Sequence, residues 1–284
     1  MKNLNIQFFI ILILSIFLAC NNSNSEDDAT VAETEETIVV DPAESQIILM
    51  QEDIKLTEVN DSPDFPDAKL TILNPASDVQ VDPGWVDFDF RVENYVLTNN
   101  TSDANSKLCA NSSQGQHIHF ILDNQPYTAL YEPKFQEEFS PGYHTVLTFL
   151  SRSYHESLKH KDAYQLIQIK AGDSEENKVD LDAPHMFYSR PKGTYYGEDT
   201  KHVLLDFYLH NVDLSPDGYK VKVSIAWATF TLTKWAPFLV EGLPIGAVPV
   251  GLELIDAEGN TVPSPYNPVE YTIQLISDDP IADY

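Results

Sequence analysis

At 284 residues, the chain has room for one large or two ordinary domains, and its 43% hydrophobic residues suffice to bury a core. A formal net charge of −27 excludes nucleic acid and anionic lipid headgroups as natural partners, because such a surface repels phosphates. The same acidity attracts cations and basic peptides, and it also serves solubility.

The N-terminus carries Lys2, an apolar run from Phe8 to Leu18, and then Ala19-Cys20. That run is too short to span a bilayer and ends on a small residue, which is the pattern of a signal peptide over residues 1–20. Phe17-Leu18-Ala19-Cys20 resembles a bacterial lipobox, with Phe17 in place of the usual leucine. The resemblance implies that Cys20 is lipidated and anchors the chain in the outer membrane, facing the periplasm or the cell surface. Residues 21–52 are polar and acidic at their start and nearly free of aromatics, so they are expected to form a flexible tether. Within them, Ser25-Glu26-Asp27-Asp28 resembles the acidic surface-export signal of Bacteroidota lipoproteins. If Cys20 carries lipid, Cys109 is the one thiol left, and no disulfide closes within the chain.

Folding is expected from Asp53. IKLTEV and AKLTILNP read as short strands, and Pro63, Pro66, Pro75 and Pro83 argue against helix. From Val86 to Leu97 the chain alternates, with Val86, Phe88, Phe90 and Val92 on one side and Asp87, Asp89, Arg91 and Glu93 on the other. That is the signature of an antiparallel strand with one wet face. The second half repeats this order weakly. VLLDFYLHNVDL from Val203 matches the alternating strand, KVKVSIAWATFTL from Lys220 matches HIHFILDNQPYTAL, and LPIGAVPVGLEL matches FSPGYHTVLTFL with Gly246 under Gly142. The expected fold class is therefore all-β: two tandem immunoglobulin-like β-sandwiches, residues 53–180 and 181–284, divided in the polar stretch Ala171 to Asp182.

Four of the eight histidines, His117, His119, His144 and His155, fall between Gly115 and Glu156. His117 and His119, two apart on a strand, leave the same face and are able to meet on one metal ion, copper or zinc. His144 begins another strand and His155 follows its end, so a third and fourth ligand are available if the strands are neighbours. The competing reading starts from Lys220 and Lys222 at the matching positions, which mark this face as solvent-exposed and the histidines as polar surface. Cys109 lies in a loop before the histidine pair, about a dozen residues longer than its counterpart, where a ligand loop would be placed. Arg152 and Arg190 are candidate contacts for an anionic ligand. No G-x-S-x-G, P-loop, dinucleotide fingerprint, zinc-protease helix or EF-hand loop occurs, and a non-enzymatic role is expected.

GQHIHFILDNQPY, SRSYHES and FYSRPKGTYYG resemble an uncharacterised group of Bacteroidota lipoproteins built from Ig-like β-domains, over most of the chain from about Asp53 onward. The resemblance implies an envelope lipoprotein acting as a binding or accessory module, with an outer-membrane protein as partner, and it implies no catalytic residue. Some members are labelled phosphopeptide-binding. Here that role would fall to Arg152, Lys159, Lys161, Arg190 and Lys192.

Overall fold

The computed structural model describes residues 37–41 and 46–278. The expected leader, Cys20 and the Ser25–Asp28 run lie outside the described residues. The first half contains β1 (Thr37–Asp41), β2 (Gln46–Gln51), β3 (Ile54–Glu58), β4 (Lys69–Asn74), β5 (Val79–Val81) and β6 (Gly84–Glu93). It continues with β7 (His117–Leu122), β8 (Thr128–Leu130), β9 (Lys134–Phe139), β10 (Gly142–Ser151) and β11 (Tyr164–Ala171). The second half contains β12 (His185–Arg190), β13 (Thr194–Tyr196), β14 (Val203–His210), β15 (Lys220–Ile225) and β16 (Ala228–Leu232). It ends with β17 (Phe238–Glu241), β18 (Gly246–Ile255) and β19 (Val269–Ile276). Among the described residues no helix is long and apolar enough to cross a membrane.

The strands form two Ig-like sandwiches. In the first, sheet β4-β6-β9 faces sheet β5-β11-β10-β7-β8; in the second, sheet β1-β2-β3-β17-β14-β12 faces sheet β13-β19-β18-β15-β16. The two five-stranded sheets share one plan: a short parallel edge strand (β5 on β11, β13 on β19), then antiparallel neighbours. β10 and β18 each open on a glycine, Gly142 and Gly246, at φ +133° and +117°. Side chains rarely adopt that backbone, so it explains the matching glycines.

The alternation in β6 produces the core of the first sandwich. Val86, Phe88 and Phe90 are buried with Leu70, Phe120, Phe139, Val146 and Leu150, while Asp87 and Arg91 stay exposed. The strand stops at Glu93 and does not run on to Leu97, because Asn94 turns to φ +55°. Trp227 is exposed at the tip between β15 and β16, whereas Trp235 packs inward and donates its ring N–H to the Phe207 carbonyl at 2.9 Å.

Two boundaries differ from the sequence expectation. Residues 37–41 and 46–51, expected in the flexible tether 21–52, pair as antiparallel strands β1 and β2. The segment from Asp53 was assigned to the first sandwich, yet β3 pairs with β17 of the second, Leu56 opposite Val240. Leu49, Ile54 and Leu56 bury in the second core beside Phe207 and Phe238. The apolar face of β3 matches that core, and local strand signals carry no information about which sheet a strand joins.

The sandwiches also pack against each other. Ile121, Tyr127, Leu147 and Phe149 on the outer face of β7, β8 and β10 meet Phe187 and Tyr208 from β12 and β14. Phe149 stacks on Tyr208 at 4.7 Å between ring centres, and Asn124 accepts from the Tyr188 amide at 2.8 Å. Strand β7 is therefore covered on both faces, and this decides the environment of its histidines.

Candidate metal centre

Ile118 and Phe120 of β7 enter the first core, so His117, His119 and Ile121 leave the opposite face, toward β12. There they are fully buried: His117 and His119 are 0% exposed. The lysine-based expectation of a solvent face holds for Lys222, which is exposed on β15, but fails for β7. The reason is asymmetric packing, since only the first five-stranded sheet has its outer face covered by the other sandwich.

Three imidazoles converge in this interface. His117 Nε2 lies 3.0 Å from His119 Nε2 and 3.1 Å from His155 Nδ1. The donor atoms of all three histidines sit within 4.8 Å of one another. An ion bonded to three nitrogens at about 2.0 Å holds them roughly 3.3–3.5 Å apart, so small outward shifts of these rings accommodate one. Burial lowers the His117 pKa to about 4 and holds those of His119 and His155 well below the ordinary range. All three are thus neutral at neutral pH and present lone pairs.

Each ring is held from behind. His117 Nδ1–H donates to the Gly115 carbonyl at 2.8 Å, which fixes the tautomer and turns Nε2 toward its neighbours. Gly115 ends the long loop 98–116, closed at its neck by Thr98 N–H to the Gln116 carbonyl and Gln116 N–H to the Asn99 carbonyl. Gly115 has φ +81°, and a Cβ there would stand 2.5 Å from the Thr98 carbonyl oxygen, so only glycine closes this neck. His119 Nδ1 is 3.2 Å from Ser189 Oγ of β12. His155 sits in the turn after β10 at φ +68°, a conformation costly for a non-glycine residue. Its turn is pinned by the Ser151–Ser157 bridge, by the Arg152–Glu156 ion pair at 2.8 Å, and by the Ser157 amide donating to buried Asp206 at 2.9 Å.

His144 does not join the centre. β7 and β10 are neighbours, but their antiparallel register sets Phe149 beside His119 and Ser151 beside His117. His144 lies five residues from Phe149, about 17 Å along the strand, and an odd step places it on the opposite face. Its Nδ1 meets Asp123 at 2.6 Å and its Nε2–H donates to the Ser140 carbonyl at 2.9 Å. The Asp123 hydrogen bond raises its pKa.

Arg152, expected as an anion contact, is an internal anchor: it pairs with Glu156 and donates to the Pro63 carbonyl at 2.7 Å. Lys159 is likewise paired, with Asp206 at 2.5 Å. Two of the five cations named for a phosphopeptide are therefore already paired with carboxylates. Cys109 is buried with Ala104, Tyr154 and Leu204, outside the histidine group, and burial raises its pKa to about 11.

Arg190 is buried beside the centre, with its guanidinium 5.3 Å from the Tyr127 ring centre and donating to the Tyr195 hydroxyl at 3.1 Å. Tyr127, which sequence reasoning did not single out, lies flat on His119 at 3.6 Å and 8° and brings its hydroxyl 3.2 Å from His155 Nδ1. The stacking depends on the β7–β8 pairing, which no local signal in the sequence sets. Ser189 and Lys192 come from the other sandwich, and no spacing in the sequence connects them to His119.

No protein-family model matches this chain, and no curated protein does. Solved structures similar to it include fibronectin(III)-like modules of Clostridium thermocellum CbhA, at 10% identity and TM-score 0.26, covering 73% of this chain and 95% of that one. Another is the Bacteroides ovatus mixed-linkage glucan locus protein SGBP-B, crystallised with a heptasaccharide, at 9% identity and TM-score 0.22. That match covers 72% of this chain and 47% of the other. Chicken CNTN1 FN1–FN3 domains match at 9% identity and TM-score 0.20, over 81% and 76%.

Proposed function

We propose that this chain is a non-enzymatic envelope module that binds one copper or zinc ion through His117, His119 and His155. Lipidated Cys20 would hold it at the outer membrane, where an outer-membrane protein is its expected partner. The observation that carries the reading is the convergence of three neutral imidazoles at 3.0 and 3.1 Å, two of them fully buried. Imidazole suits copper and zinc, and the Gly115 carbonyl behind His117 supplies the outer support that metal-bound histidines ordinarily have. His155 is the only partly exposed member of the three, so its turn is the side from which an ion enters.

The test is calorimetric titration of Cu²⁺, Zn²⁺ and anaerobic Cu⁺ into the whole mature chain and into the His117→Ala/His119→Ala variant. The whole chain is required because β12 covers the site and β3 belongs to the second sandwich. Tight binding of one ion per chain, lost in the variant, is expected. Equal weak uptake by both proteins would assign the histidines to packing alone. For the anchor, metabolic labelling with a tagged fatty acid is expected to label the native chain and not Cys20→Ser, and a native chain that takes up no label would refute lipidation at Cys20.

A further inference from the structure

We infer that the three-histidine site selects monovalent copper, Cu⁺, over divalent ions; the inference rests on the metal-binding reading above. Charge is the first argument. All three donors are neutral imidazoles, and among the described residues no carboxylate or thiolate belongs to the group. Nothing in the site offsets a second positive charge.

Two cations add to the imbalance: Arg190, and Lys192, whose pKa burial and Arg190 lower to about 8, leaving it mainly protonated at neutral pH. Lys192 Nζ is 3.9 Å from the centre of the Tyr127 ring, whose other face is occupied by His119 at 3.6 Å. The ammonium is thus at most about 7.5 Å from the His119 ring centre. The Arg190 guanidinium lies 5.3 Å from the same tyrosine centre, and its buried Nε has no hydrogen-bond partner among the described residues. Among those residues neither cation reaches a carboxylate: Arg190 donates to Tyr195, and Lys192 donates to the Tyr127 carbonyl. A fixed charge repels a divalent ion twice as strongly as a monovalent one. At separations of this order inside a protein, the difference is roughly ten-fold or more in affinity for each fixed charge.

Coordination number is the second argument. Zinc on three histidines needs a water or other ligand in its fourth position and Cu²⁺ favours a tetragonal set, whereas three nitrogens alone satisfy Cu⁺. Tyr127 does not complete a fourth position. Its ring is nearly parallel to that of His119 at 3.6 Å, so its hydroxyl stays well beyond the bonding distance of about 2 Å from an ion lying in the plane of His119. It closes the site over one side instead.

The experiment uses the whole mature chain. Cu⁺ affinity is measured anaerobically against bicinchoninate, and Cu²⁺ and Zn²⁺ affinities by competition with chelators, for the native protein and for Arg190→Gln/Lys192→Gln. Native protein is expected to bind Cu⁺ at least a hundred-fold more tightly than Cu²⁺. The double variant is expected to narrow that ratio about a hundred-fold, a fall of about 59 mV per ten-fold in the bound-copper potential. Should the Arg190 change prevent folding, Lys192→Gln at a half-buried position carries the comparison. Divalent binding as tight as that of Cu⁺, or a ratio indifferent to both cations, overturns the selectivity while leaving the metal site standing. Absence of binding by every ion overturns the metal site itself.

Discussion

Acid should destabilise the metal-free protein through His117, by an amount set by its burial. In the folded chain His117 is 0% exposed and its pKa falls to about 4, against 6.5 for a free imidazole. As pH falls through 6.5 the unfolded chain takes up a proton that the folded chain refuses. Stability is therefore complete above pH 6.5 and is lost progressively down to pH 4. At pH 4.5 this single group removes about 2.5 kcal/mol, at ~1.4 kcal/mol per unit of difference. The assay is urea unfolding with chelator present, at pH 7.5 and 4.5, for the native chain and for His117→Gln. His144, with its raised pKa, acts in the other direction, is common to both proteins and cancels; His119 and His155 act in the same direction as His117 and are partly relieved when it is replaced, so the shift of about 2.5 kcal/mol is a lower bound. The gap between native and variant should move by at least about 2.5 kcal/mol in favour of the variant on acidification, which is just under 1 M in urea midpoint at a slope of about 3 kcal/mol/M. A gap that does not change with pH would mean that His117 takes a proton as freely in the fold as outside it, and the buried-site argument would fail.

Asp206→Asn tests the support of the third ligand. Asp206 is fully buried, accepts from the Ser157 amide and pairs with Lys159 at 2.5 Å. Breaking such a pair costs about 3 kcal/mol in unfolding free energy. Because the same carboxylate pins the turn that carries His155, ion affinity should fall at least ten-fold in a variant still folded by circular dichroism; an unchanged affinity would show that the turn holds His155 without it.

The all-β plan was legible because it rests on local signals: alternation in Val86–Val92, turn glycines, and the matching Gly142 and Gly246. The same-face geometry of His117 and His119 was legible too, since it needs only a strand period. Their burial was not. It depends on Phe187 and Ser189 arriving from the second sandwich, and the lysines in the repeated strand pointed the wrong way. His144 illustrates the other limit. Whether its strand neighbours β7 was left open by the sequence, and with the two strands paired it is register alone that sets Ser151 rather than His144 beside His117. Arg152 and Arg190 look alike as isolated cations, and only tertiary contacts separate a structural anchor from a charge that has no counter-ion among the described residues.

The pairing of β3 with β17 makes the chain a loop closed on itself, residue 56 lying against residue 240. In a chain synthesised N-terminus first, the strands that emerge earliest must wait for some of the last before their sheet exists, which is the long-range ordering that slows folding. Until then β3 has no neighbour on the side later taken by β17, and strands left with an unpaired edge invite pairing between chains. Once assembled, a pull on the N-terminal end is borne first by the far sandwich, through β2 and β3. The histidine centre, at the seam between the two bodies, then lies where relative movement of one against the other would be felt.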